Sequence, residues 1–143
     1  MKKLFLGIAV LLTAGLAADL VTIEPSELAG QLAAKRTHPT IIQVGPNMLY
    51  RSKHIPGAIY AGPGSKPEGV ELLKKAVSGL PLDSEIILYC GCCPWANCPN
   101  VKPAMAQLQQ MGYTKVKVMH VETGFAQDWA DKGYPVVGST VRP

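Results

Sequence analysis

The sequence predicts an α/β domain in which strands and helices alternate and the strands form one mainly parallel sheet covered on both faces. Two observations carry that reading. Short apolar runs of strand length alternate along the chain with segments of helical periodicity. Glycines and prolines fall at the junctions between them. Strands separated by helices require right-handed crossovers, and these put helices on both faces of a parallel sheet.

The elements follow in order. Leu20-Val21-Thr22-Ile23 reads as a first strand. Pro25-Ser26-Glu27 then opens a helix that carries Leu28, Leu32 and Ala33 on one face, with Glu24 or Ser26 near its start. Ile41 to Val44 is a second strand, closed by Gly45-Pro46-Asn47, and Ala58-Ile59-Tyr60 is a short third. Val70, Leu72, Leu73, Ala76 and Val77 mark a second helix that stops at Gly79. Ile86 to Tyr89 is a buried fourth strand, and Met105, Leu108 and Met111 line the next helix. Val116 to Met119 is the fifth strand, and Trp129 lies in a last helix ended by Gly133 and Pro135.

The first residues point to export. Met1-Lys2-Lys3 is a basic start, Leu4 to Leu12 an apolar run, and Gly15-Leu16-Ala17-Ala18 supplies small residues for cleavage, the three-part pattern of a secretory signal peptide. The apolar run falls short of the about 20 residues that span a bilayer. The expectation is a signal peptide over 1–18 and a single domain over 19–143, periplasmic or secreted, with no stable membrane insertion after cleavage. A retained interfacial anchor is the alternative. The remaining length suffices for one domain with one core.

Charge excludes little but does exclude something. The net charge of +4 is modest, and Lys2 and Lys3 contribute to it. Lys74-Lys75 and Lys115/Lys117 read as solvated faces of a helix and a strand, not as a nucleic-acid footprint. The chain has no internal repeat, no phosphate-binding glycine motif and no Ser/His/Asp constellation. No cofactor is expected.

The chemistry concentrates in one place. All four cysteines, Cys90, Cys92, Cys93 and Cys98, fall between the fourth strand and the following helix. A sulfur where a strand ends and a helix begins lies near unpaired backbone N–H groups and the positive end of a helix dipole. That setting favours a thiolate. In parallel sheets ligands bind beyond the carboxyl ends of the strands, where Cys90 falls.

Several motifs then resemble one family. His54-Ile55-Pro56-Gly57-Ala58 is similar to the His-Ile-Pro-Gly-Ala signature of rhodanese-like domains. Tyr89-Cys90 is similar to the Tyr-Cys that opens their active-site loop, and Ile41 to Val44 stands where they carry an Asp-Val-Arg strand end. Leu108 with Gly112-Tyr113, and Trp129 with Gly133-Tyr134-Pro135-Val136, resemble their closing pattern. The resemblance covers about residues 20–137. It implies a three-layer fold with a five-stranded, mainly parallel sheet, and a sulfurtransferase whose Cys90 carries sulfane sulfur as a persulfide. It also implies a site organised by His54 and by the position of Gln43, and loop N–H groups from Gly91, Cys92, Cys93, Trp95, Ala96 and Asn97 that cradle the anion.

The chain departs from that family at the site. Gln43 replaces the family's Asp, Gly45 its Arg, and the loop after Cys90 is longer and lacks an arginine before Lys102. Thiosulfate is therefore a poor expected donor. The expected partners are a small sulfur donor and a thiol acceptor, the latter small or on a partner protein. The extra cysteines leave three readings open. Cys98 bridges Cys92 or Cys93 in a disulfide, the adjacent pair being poorly placed to bridge itself; or one of the three resolves a persulfide on Cys90; or all three join Cys90 in holding a soft metal ion. The rival to an enzyme is a binding module on the same scaffold, built around that metal or disulfide.

Overall fold

The computed structural model describes residues 20–35 and 38–138. The expected signal peptide over 1–18 lies outside the described residues, as do both ends of the expected 19–143 domain. Among the described residues no helix is long and apolar enough to cross a membrane.

Five strands form one sheet: β1 (Thr22–Ile23), β2 (Thr40–Gln43), β3 (Ile59–Tyr60), β4 (Glu85–Tyr89) and β5 (Lys115–Met119). Their order is β1-β5-β4-β2-β3, and every neighbouring pair is parallel. The helices are α1 (Pro25–Ala34), α2 (Asn47–Ser52), α3 (Pro67–Val77) and α4 (Val101–Gln110), followed by a π-helical segment, Ala126–Ala130. β4 is central. From it the chain leaves through α4 to β5 on one side, whereas β2 and β3 occupy the other. The crevice between the ends of β2 and β4 is thus the switch point at which parallel sheets bind ligands.

The period-two alternation of β4 sorts its side chains between two cores. Ile86 and Leu88 pack with Leu73 and Val77 of α3 and with Val101, Met105 and Leu108 of α4. Ile87 and Tyr89 pack on the opposite face with Leu28 of α1, Ile55, Phe125 and Trp129. Continuing the alternation by one residue assigns Cys90 to the α3/α4 face, where it belongs to that core. The strand is buried on both faces, which is why it reads as one continuous apolar run.

Several elements differ from expectation in detail. β1 and β3 are shorter by their first residues, and α1 buries Leu28 and Ala29, whereas Ala33 is exposed. The helix α2 was not expected. It follows Pro46 and buries none of its residues, so it lacks the apolar periodicity by which helices are read. The closing segment is a π-helix with Trp129 fully buried and its Nε1 donating to the Pro135 carbonyl at 2.8 Å.

Candidate active site

β2 and β4 end side by side, with Ile42 opposite Leu88 and Gln43 opposite Tyr89. The ladder runs on as the Val44 N–H donates to the Tyr89 carbonyl at 2.9 Å. Gln43 is 1% exposed and donates from Nε2 to the Cys90 carbonyl at 2.9 Å. Its Oε1 is buried with no hydrogen-bond partner in the protein. The Asp expected by resemblance at this position carries a charge; Gln43 instead clamps the backbone of Cys90.

Gly45 explains another departure from the family pattern. A Cβ built there would collide with the Cys90 carbonyl and lie 3.1 Å from Cys90 Sγ. No side chain fits, so the family's arginine has no room. Immediately after Cys90 the chain turns at Gly91 with φ 88°, a left-handed conformation that side-chain-bearing residues rarely adopt. This turn swings the loop back over the end of β4.

The loop is tied down by its own backbone. The Trp95 N–H donates to the Val121 carbonyl at 2.8 Å, Asn97 N–H to Pro94 at 3.0 Å and Cys98 N–H to Trp95 at 3.3 Å, forming a short 3₁₀ turn at Trp95–Asn97. The Trp95 ring meets His120 edge-on at 5.5 Å. Two N–H groups of the expected anion cradle, those of Trp95 and Asn97, thus donate to the Val121 and Pro94 carbonyls.

The sulfurs are instead brought together. All four Sγ atoms lie within 4.8 Å of one another. Cys90 and Cys98 are buried, Cys93 is half-buried and Cys92 exposed, and all four are free thiols in this structure. Cys90 Sγ lies 3.0 Å from Cys92 Sγ, which lies 3.1 Å from Cys93 Sγ. Asn100, buried just before α4, donates from Nδ2 to Cys90 Sγ at 3.4 Å. Its Oδ1 accepts the Ser65 N–H at 3.1 Å, which fixes the orientation of the amide. Cys98 is held as a thiol first by its hydrogen bond to the Cys90 sulfur and then by burial, while the N–H groups of Asn100 and Val101 work against this. Desolvation pushes the Cys92 thiol up to about 11, with its hydrogen bond to Cys90 opposing.

Asn100 thus reaches the Cys90 sulfur from the far end of the loop, and Cys92 approaches it to 3.0 Å from the near end. Asn100 was missed in the sequence. Its position one residue before a helix was the available signal. His54 is elsewhere in the architecture. It pairs backbone to backbone with Val137, its Nδ1 lies 2.7 Å from the Tyr50 carbonyl, and its ring stacks on Tyr50 at 3.9 Å. It secures the turn that leads into β3.

Beside Gly91, a cavity of about 140 Å³ opens between α2 and the π-helical segment. Gln43, Leu49, Tyr89 and Phe125 make its walls, and Lys53 and Asp131 bring one cation and one carboxylate. Lys53 was not singled out in the sequence, because α2, which it ends, was not.

These features define an α/β domain with four thiols gathered at the carboxyl end of its central strand. A model of the rhodanese-like domain matches residues 24–131, and the chain belongs to that family. Solved structures share the fold. A crystal structure of a Bacillus halodurans protein superposes with a TM-score of 0.64 at 23% identity, over 82% of this chain and 77% of that one. An Anabaena protein gives 0.63 at 24% identity over 83% and 94%. The polysulfide-sulfur transferase homodimer of Wolinella succinogenes gives 0.60 at 17% identity over 87% and 83%. No curated protein matches this chain in sequence.

Proposed function

We propose that this protein is a sulfurtransferase that carries sulfane sulfur as a persulfide on Cys90. The observation that carries the reading is the Asn100 Nδ2 donor on Cys90 Sγ at the end of the central strand, with the Cys92 thiol 3.0 Å from the same sulfur. Such donors stabilise a thiolate and, after loading, the inner part of a persulfide anion. The Cys90 thiolate attacks the outer sulfur of a donor persulfide. A Cys90–sulfur bond forms, the donor's S–S bond breaks, and the donor leaves as a thiolate. An acceptor thiolate then takes the outer sulfur and returns Cys90 to its thiolate.

Cys92 supplies a second exit. At 3.0 Å from Cys90 Sγ, it attacks the inner sulfur of the persulfide anion while its thiol proton passes to the departing outer sulfur, so a Cys90–Cys92 disulfide forms and hydrosulfide leaves. A dithiol reductant reopens the bridge. This makes Cys92, in preference to Cys93 or Cys98, the resolving thiol. The cavity beside Gly91, with Lys53 and Asp131 in its lining, suits a zwitterionic persulfide such as that of glutathione better than the compact dianion thiosulfate. Export belongs to the same proposal and rests on the leader pattern of residues 1–18. N-terminal sequencing of protein from the producing cell tests it, and an intact Met1 overturns it.

The decisive experiment is intact-mass analysis after incubation of the reduced protein with glutathione persulfide. A gain of one sulfur atom that maps to Cys90 and disappears on addition of a thiol supports the proposal. A sulfur gain that persists in Cys90→Ser overturns the assignment of the nucleophile.

A further inference from the structure

The four cysteines are arranged in a way that sulfur transfer does not require. One nucleophile and one resolving thiol suffice for either route, yet four sulfurs converge within 4.8 Å. Two of them are built into the scaffold. Cys90 closes the central strand and is 4% exposed, and Cys98 precedes α4 and is 3% exposed. The other two, Cys92 and Cys93, lie on the loop between and complete the cluster from the outside.

We propose that Cys90, Cys92, Cys93 and Cys98 form a tetrathiolate site for a single Zn(II) ion, and that its occupancy switches sulfur transfer off. With Zn–S bonds of about 2.3 Å, a tetrahedral site has sulfur–sulfur edges of about 3.8 Å. The edges here begin at 3.0 Å and stay within 4.8 Å, so closure on the ion needs shifts of well under one residue spacing. Four ligands match the coordination number of Zn(II); Cu(I) ordinarily takes two or three thiolates and would leave one unused.

The surroundings suit the charge that results. Binding converts four thiols and Zn(II) into a complex of charge −2 with release of four protons. The Asn100 side-chain amide already points at Cys90 Sγ, and the Asn100 and Val101 N–H groups at Cys98. Such N–H donors to ligating sulfur are the outer partners that orient a metal site. The α4 N-terminus, ten residues deep in helix, adds its positive dipole end. The loop itself is pinned by the bond from Trp95 N–H to Val121, so it reaches the ion without first being ordered. The site stands on this geometry independently of the sulfur donor. Its regulatory consequence rests on Cys90 being the nucleophile, because a ligated Cys90 has no lone thiolate to offer.

The test is titration of the reduced full chain with Zn(II) under anaerobic conditions against a chromophoric chelator, with Co(II) as a spectroscopic substitute. The expected result is one ion per chain, thiolate-to-cobalt charge-transfer bands with tetrahedral d–d intensity, and loss of reaction with a thiol reagent at all four cysteines. Cys92→Ser, at an exposed position, should weaken binding by more than the about 10-fold expected for Asn100→Leu, which removes an outer partner only. Zinc affinity that Cys92→Ser leaves unchanged overturns the site. So does a preference for Cu(I) with only two or three thiols protected. Persulfide loading that proceeds at full rate on the zinc form overturns the switch while leaving the site, and failure of loading on the metal-free form overturns the sulfur-transfer reading alone.

Discussion

Gln43 donates its side-chain amide to the carbonyl of Cys90 at 2.9 Å, tying the end of β2 to the residue that leaves β4. This bond holds the Cys90 backbone at the point where Gly91 turns the chain. Replacing Gln43 by Met keeps the volume and removes both the bond and the unpartnered Oε1. The expected loss is about 1 kcal/mol, the usual net worth of one such bond. Denaturant unfolding measures it.

Cys90→Ser should reduce sulfur transfer to the background of the assay and leave the fold intact. Hydroxyl and thiol are close in size at a site whose backbone is already clamped, whereas serine cannot hold a persulfide. Thiocyanate formation with cyanide as acceptor gives the activity, and circular dichroism gives the fold. Retained transfer would move the nucleophile to Cys92, Cys93 or Cys98.

Gly45→Ala should destabilise the domain by about 1–3 kcal/mol, the range for forcing extra volume into a packed site. The new methyl meets the Cys90 carbonyl, which belongs to a buried strand end and cannot swing away. Equilibrium unfolding should show this loss together with slower persulfide loading, because the backbone displaced is that of the nucleophile.

Asn100→Leu should slow loading of Cys90 by about 10-fold, less than the 100-fold or more lost with a short oxyanion donor, since the bond to sulfur is 3.4 Å long. The same change strands the Ser65 N–H and should cost about 1–3 kcal/mol of stability. Asn100→Asp retains an acceptor for Ser65, so it should recover stability while loading stays slow. Stopped-flow loading and thermal unfolding separate the two effects.

Lys53→Ala should raise KM for glutathione persulfide several-fold and leave kcat nearly unchanged. Lys53 lines the cavity beside Gly91 and has no assigned contact with the reacting sulfur. Thiosulfate should be the poorer donor at equal concentration in both proteins, because no arginine forks onto a dianion here. Steady-state kinetics with both donors decides this. A thiosulfate preference in the parent protein would contradict the donor class.

The sequence by itself determined the alternation of strands and helices, the central buried strand, the family and the position of Cys90. These are properties of local periodicity and of short motifs: an apolar run at Ile86–Tyr89 is a buried strand wherever it packs, and the residue after it stands at a strand end. The tertiary structure decided what surrounds that residue. α2 has no buried face to announce it, so Lys53 and the cavity it lines went unseen. The convergence of the four sulfurs depends on the Gly91 turn and on the Trp95–Val121 bond, and the latter joins residues far apart in the chain. Donors to the Cys90 sulfur were expected from the loop N–H groups that follow it. The structure adds the Asn100 side-chain amide to them, and its 3₁₀ turn consumes the Trp95 carbonyl and the Asn97 and Cys98 N–H groups in its own closure. Which hydrogen bonds a loop spends on itself is settled only when its two ends are fixed in space, and here β4 and α4 fix them.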